Sequence, residues 1–237
     1  MLNFSKISVI STLVIALAIT GCQNLSKAAQ GTMVGAGAGA AAGAVVGKAL
    51  GDTAKGAIIG AVVGGAAGAV IGRQMDKQAE ELEKNIDGAH IERVGEGIAI
   101  TFDSGLLFGF DSAELQADAR NNLSELAASL KDYPDSEILI VGHTDNVGNE
   151  NYNMGLSERR AQSARNFLVN QGVPSDRVKL EGRGELEPIA TNDTETGRIE
   201  NRRVEVAIFA SEEYIESVKA QCYRHKPTLY RKYLCCI

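Results

Sequence analysis

A run of aliphatic residues, Ile138, Leu139, Ile140 and Val141, breaks directly into Gly142, His143, Thr144 and Asp145. A short apolar, β-branched run closed by glycine and polar residues is how a buried strand ends in a loop. Asp145 is thereby placed at a strand mouth. A polar loop over 146–155 follows. Leu156, Ala161, Ala164, Phe167 and Leu168 then recur at helical spacing, and Gly172 stands as a C-terminal stop. The expected helix starts near Leu156, with Arg160 in its first turn. The stretch 137–172 therefore brings a carboxylate and a guanidinium from different elements to one edge of an α/β layer.

That juxtaposition has two readings. A carboxylate accepts from an ammonium group and an arginine forks onto a carboxylate, so together they suit a zwitterion. Equally, Asp145 and Arg160 pair with each other, or with Glu158 and Arg159, as partly solvated ion pairs of little energetic worth. Spacing alone leaves both open.

The surrounding pattern gives the fold class. Residues 89–94, a Gly95-Glu96-Gly97 turn and 98–102 read as a hairpin. A helix after Asp111 and Ser112 carries Ala119, Leu123, Leu126, Ala127 and Leu130, and Pro134 follows its end. Strands are expected at 178–180 and 203–209, with a long polar loop over 184–201 between them. Strand and helix alternate, which implies an α/β sandwich with a mixed sheet, β/α/β/α/β, over 89–210.

Gly142-His143-Thr144-Asp145, Tyr152-Asn153, Leu156-Ser157, Arg160-Ala161 and Asn201-Arg202-Arg203-Val204-Glu205 occur in this order and resemble the signature of OmpA-like domains. Phe108-Gly109-Phe110-Asp111 resembles the segment that opens the pocket in peptidoglycan-associated lipoproteins of that family. The resemblance covers 91–209 and implies non-covalent binding of peptidoglycan through the diaminopimelate residue of its peptide stem. That residue ends in an amine and a carboxylate. Carried over by position, Asp145 takes the amine and Arg160 the carboxylate, while Phe110, Asp111 and Leu156 match other pocket positions. A helix start near Arg160 would favour an anionic group there as well.

The N-terminus reads as a targeting segment. Lys6 precedes an apolar run over 7–19, and Ile19-Thr20-Gly21-Cys22 resembles the bacterial lipobox. A run of about 13 residues falls short of the roughly 20 that span a bilayer. Residues 1–21 are therefore expected to be a signal peptide, and Cys22 the lipid-modified first residue of the mature chain. Gln23 and Asn24 follow, without the Asp that resembles an inner-membrane retention signal, so the outer membrane is the expected address, with the globular domain in the periplasm. The resemblance implies three acyl chains, and two or more suffice for stable attachment.

After a lipidated linker over 22–30, composition changes to glycine, alanine and valine. Glycines fall at 31, 35, 39, 43, 47 and 51, then at 56, 60, 64, 68 and 72. A four-residue period lines one helix face with glycine and lets another backbone approach closely. Gly51-Asp52-Thr53 interrupts it with turn chemistry, so 31–73 reads as a helical hairpin. It resembles the glycine zippers of envelope lipoproteins of the YiaD type. Two readings stay open: a hairpin that inserts into lipid or self-associates into a homo-oligomer, and a flexible spacer. Residues 74–88 carry many charges, with Leu82 nearly alone as an apolar member, and read as a solvated connector.

Several functions are disfavoured. A net charge of −6 lacks the basic face that nucleic acid requires. His143 invites a metal or general-base reading, but His90 and His225 have no ligand spacing to it, and no Ser or Cys nucleophile sits in an elbow. His143 is expected to hydrogen-bond in a loop, and neither enzyme activity, metal nor cofactor is expected. The tail, 211–237, carries Cys222, Cys235 and Cys236, an odd number beyond Cys22, and receives no assignment. The function expected is an outer-membrane lipoprotein that tethers envelope to wall. The alternatives are a zipper-driven oligomeric assembly or channel-like protein oriented by its wall domain, and a stator-like inner-membrane protein, which Cys22 disfavours.

Overall fold

The computed structural model describes residues 51–109 and 111–224. The order is α1 (Thr53–Gly60), α2 (Gly65–Asn85), β1 (Ala89–Val94), β2 (Gly97–Asp103), α3 (Ser104–Leu107), α4 (Ala117–Asp132), β3 (Ser136–His143), α5 (Glu150–Asn170), β4 (Val178–Gly184), α6 (Glu195–Asn201), β5 (Arg203–Ala210) and α7 (Glu212–Arg224). The sheet order is β1-β2-β5-β3-β4; only the β3–β4 pair is parallel. This is the mixed-sheet α/β architecture that the alternation of elements implies.

Period-two alternation sorts the strand residues onto two faces. Ile98, Ile100, Phe102, Ile138, Ile140, Val204, Val206 and Ile208 pack against apolar residues of α2, α4, α5 and α7. Ala99, Leu139, Val141, Ala207 and Phe209 form the opposite face, covered by Ala54, Ala57, Ile58 and Ala61. The sheet is thus buried on both sides, the second time by a piece of the glycine-rich segment.

The helical-hairpin expectation needs correction where it can be seen. Its first arm lies outside the described residues, and its second arm is not one helix. Asp52 caps α1 by accepting from the Lys55 amide at 2.8 Å. The chain then breaks at Gly64 and Gly65, whose φ angles of 65° and 66° are open to glycine at little cost. Glu96, in the β1–β2 turn, accepts from the amides of Val63 (2.7 Å) and Gly64 (2.9 Å), placing a carboxylate at the start of α2. Among the described residues no helix is long and apolar enough to cross a membrane.

Residues 74–85 are likewise no solvated connector. They continue α2, whose Ile71, Met75, Ala79 and Leu82 enter the core at helical spacing, followed by Ile86. The described part of the tail is also structural. Ile215 and Val218 of α7 are buried, and the Tyr214 hydroxyl donates to Gln74 Oε1 at 2.5 Å. Cys222 forms no disulfide among the described residues; Cys235 and Cys236 lie outside them.

Two glycines let α5 lie flush on the sheet. A Cβ on Gly142 would come 2.2 Å from the Ser157 carbonyl oxygen, and one on Gly182 would come 2.7 Å from the Glu158 amide nitrogen. Both neighbours are helix backbone and cannot rotate away. Gly142→Ala is therefore expected to push α5 outward and cost about 2–3 kcal/mol of stability by overpacking, read as a lowered urea midpoint. An unchanged midpoint would show that α5 does not bear on β3 there.

The second face also carries a polar layer beside its apolar patch. Arg203 donates through Nε to Glu205 Oε1 at 2.7 Å, and through Nη2 to the Glu187 carbonyl at 3.1 Å. His143 ends β3 fully buried, 3.7 Å from Glu205, with neither ring nitrogen hydrogen-bonded among the described residues. It is thus a buried strand residue rather than the loop hydrogen-bonder expected. Burial pushes the Glu205 carboxyl up, but His143 and Arg203 outweigh it and bring it down to about 2 from an ordinary 4.5. A depressed carboxylate contributes stability above its unfolded value and loses it as pH falls through its folded one. Some 3 kcal/mol should drain away between about pH 4.5 and 2. Urea midpoints across that range should fall more steeply for the parent than for Glu205→Gln; equal slopes would exclude Glu205 as the cause.

Candidate functional site

Asp145 lies just past β3, because the strand ends at His143 and Thr144 donates its amide to the Gly184 carbonyl at 2.8 Å, extending the β3–β4 junction by one residue. The Val147 amide donates to Asp145 Oδ1 at 3.0 Å. Asn153 donates to the carbonyls of Asp145 (3.3 Å) and Val147 (3.2 Å), so α5 grips the loop from below. The Asp145 carboxylate is aimed rather than swinging.

The helix carrying Arg160 begins earlier than its apolar periodicity suggests. Asn149 caps it by accepting from the Asn151 amide at 2.9 Å, and α5 runs from Glu150. Arg160 is consequently in the middle of α5, and no helix terminus adds its dipole there. The stretch 150–155 looked like loop because it is polar, yet it contains no proline and its one glycine is tolerated inside a helix.

Asp145 and Arg160 line one cavity of about 600 Å³. Its walls are the β3 exit, α5, α6 with Arg202, and residues of 104–109 and 111–116. Among the described residues no ion pair joins the two. Arg160 is only 4% exposed. Its Nε donates to the Ser112 carbonyl at 3.0 Å, and its guanidinium carbon stands 5.5 Å from the Phe108 ring centre. Burial pushes this guanidinium below its usual value, partly offset by Asp111. Among the described residues, no carboxylate lies within ion-pairing distance of it.

The remaining expected site residues fall as follows. Asp111 lines the cavity with φ +51°, and its Oδ1 accepts from the Tyr152 hydroxyl at 2.5 Å, which raises that phenol. Leu156 is buried against the cavity. Phe110 and Cys22 lie outside the described residues. Among the described residues no cluster of His, Cys, Asp or Glu could hold a metal ion.

Among the cavity residues without an expected role, Arg202 stands nearest the expected ones. Arg202 donates through Nη1 to Asp145 Oδ2 at 2.5 Å and through Nη2 to Glu195 Oε1 at 2.8 Å. Burial pulls Arg202 down, but hydrogen bonds to Glu195 and Asp145 raise it above its usual value. The 184–201 loop is correspondingly not all loop: Thr194 caps α6, which carries Glu195 and leads into Arg202. Alternating charge at Arg203 and Glu205 inside an apolar strand was the available signal that this end of β5 meets buried partners.

A mixed sheet with helices on it and a charge-lined cleft at one strand end defines an α/β binding domain. The OmpA family model matches residues 107–202, and a YMGG-like Gly-zipper model matches residues 4–76. The chain is 39% identical over 113 residues to "Outer-membrane lipoprotein YfiB" of Pseudomonas aeruginosa, covering 48% of this chain and 67% of that protein. It is 36% identical over 121 residues to "Probable lipoprotein YiaD" of Escherichia coli (strain K12), covering 51% of this chain and 55% of that one. The chain thus spans little more than half the length of that relative. Among solved structures, "the cell wall anchor of the T6SS from Pseudomonas aeruginosa" is similar with a TM-score of 0.51 and 29% identity, covering 58% of this chain and 97% of that one. The chain belongs to the OmpA family.

Proposed function

We propose that the protein is an outer-membrane lipoprotein that binds peptidoglycan non-covalently through the diaminopimelate end of its peptide stem, and so ties the envelope to the wall. The observation that carries this reading is Arg160. A buried guanidinium with no carboxylate in direct ion-pairing contact is unfavourable, and a ligand carboxylate forking onto its Nη groups supplies that contact. Asp145 takes the amine. Each of its oxygens accepts one protein hydrogen bond, and a carboxylate oxygen has two acceptor directions, so an ammonium group fits between them. Asp111 and Leu156 line the same cavity, and the resemblance assigns Phe110 to the ligand as well.

The names of the lipoprotein relatives and of the cell wall anchor support the same reading, as does Cys22 in its lipobox-like setting. Acyl chains on Cys22 hold one end in the outer membrane, while the domain reaches the wall from the periplasm. Many weak grips per cell then add through effective concentration. The domain binds without cleaving, so no soluble muropeptides are released from sacculi.

The test is competition. Free meso-diaminopimelate should displace the protein from sedimenting sacculi, whereas cadaverine, which keeps the two amines and lacks both carboxylates, should not at the same concentration. Displacement by cadaverine as well, or by neither compound, would remove Arg160 from the proposed clasp.

A further inference from the structure

α1 lies within the stretch matched by the glycine-zipper model, yet it is docked on the sheet beside the polar layer. The Thr53 amide donates to Glu187 Oε2 at 3.1 Å, and its hydroxyl donates to Glu187 Oε1 at 2.5 Å. Arg183 Nε donates to the same hydroxyl oxygen at 2.9 Å. Thr53, Glu187 and Arg183 are all buried. Glu187 in turn belongs to the 185–194 segment, which forms one side of the cleft's support. Glu185 accepts from Asn153 Nδ2 at 2.7 Å, the same amide group that holds the Asp145 and Val147 carbonyls. Asn192 Oδ1 accepts from the Asn146 amide at 3.4 Å, one residue past Asp145. Asn201 Oδ1 accepts from the amides of Ile189 (2.8 Å) and Ala190 (3.0 Å), fastening the segment to the end of α6 just before Arg202.

Hydrogen bonds and short chain links thus run from α1 to both partners of Asp145. The helix itself has two faces that suit apolar surroundings. Ala54, Ala57 and Ile58 are buried on the sheet, whereas Ile59, and Val62 just past the end of the helix, are 61% and 47% exposed. An element of small buried residues with an apolar outer face is one that can exchange partners, which is what a two-state coupling element requires.

We propose that α1 is a positioning element for the cleft. Docking of this piece of the zipper, through Thr53 and Glu187, fixes the 185–202 segment and thereby sets where Arg202 holds Asp145. Ligand is gripped tightly only while α1 is on the sheet, so the packing state of the zipper and attachment to the wall are linked. The proposal rests on reading the cleft as a diaminopimelate site.

The test uses the full chain in detergent micelles, with meso-diaminopimelate as the probe in calorimetric titrations. Side-chain Nε–Hε resonances of Arg160 and Arg202 are followed by NMR. Thr53→Val should weaken binding at least fivefold and move the Arg202 resonance in the ligand-free protein, while Thr53→Ser restores both. Ile58→Glu, which drives α1 off the sheet, should weaken binding at least tenfold. If that variant loses resonance dispersion, Thr53→Val decides alone. Parental affinity in Thr53→Val with an unmoved Arg202 signal overturns the proposal. If the parent itself does not bind the probe, the reading of the cleft fails instead, and the Arg202 resonance in Thr53→Val still decides whether α1 positions it.

Discussion

Arg160→Ala is expected to abolish co-sedimentation with sacculi while leaving the fold at least as stable as the parent's. A hydrogen bond to a charged group is worth about 1.5–3 kcal/mol, and a forked guanidinium–carboxylate pair makes two of them. Losing the pair should weaken the ligand by roughly 10²–10⁴-fold, at about 1.4 kcal/mol per decade. On the protein side the substitution removes the Nε bond to Ser112 and the contact with Phe108. It also removes a guanidinium that burial disfavours and that has no carboxylate partner among the described residues. These opposing effects are each on the order of 1 kcal/mol, so the urea midpoint should hardly move. Arg160→Lys keeps the charge without the planar fork and should recover only a small part of the binding. Undiminished sedimentation of both variants, or a stability loss large enough to explain the binding loss, would make Arg160 a structural residue.

The strands were legible because both of their faces are spoken for. Ile98, Ile100 and Phe102 alternate with Ala99, and Ile138 and Ile140 with Leu139 and Val141, so short apolar runs could be nothing but buried strands. α2 escaped notice as one helix because its apolar positions straddle a change in composition. Ile71 belongs to the glycine-rich tract, whereas Met75, Ala79, Leu82 and Ile86 belong to the charged stretch. The charged half by itself holds a narrow stripe at helical spacing that the surrounding charges obscure; Ile71 extends it into the glycine-rich tract, and together they form one core-facing face of α2 and its continuation. Sequence likewise gave no hint that α1 would cover the sheet, because alanine and glycine at four-residue spacing suit close packing against any smooth surface, a sheet as well as a helix.

In the cleft, Asp145 and Arg160 were identifiable because each belongs to a contiguous motif next to a recognisable element boundary. Their convergence on one cavity required only that a strand and the following helix be neighbours. Arg202 was harder. Its bond to Asp145 spans 57 positions in sequence and exists because β5 inserts between β2 and β3, a strand order that local patterns do not encode. The same insertion brings Glu205 opposite Val141 and within reach of His143, which turns a histidine that looked like a loop residue into part of a buried layer.

That layer should yield the largest stability effect in the protein. Arg203 is 2% exposed and spends its donors on Glu205, on the Asn201 carbonyl at 3.4 Å and on the Glu187 carbonyl at 3.1 Å. Arg203→Met fills much of the same volume but strands the Glu205 carboxylate among Val141, His143 and the sheet. Breaking one partner of a buried pair costs about 3–5 kcal/mol, because the remaining charge loses its compensation; His143, 3.7 Å from Glu205, still faces it and sets the expected loss at the low end of that range. A well-packed apolar replacement of both partners is often neutral, so Arg203→Met/Glu205→Leu should recover at least half of the loss. The comparison separates charge from packing: if Arg203 matters by filling space, the double variant will be no more stable than the single one. Urea unfolding with constant m-values is the measurement. A single-variant loss below about 1 kcal/mol would mean that solvent reaches Glu205 and that the layer under α1 is not sealed.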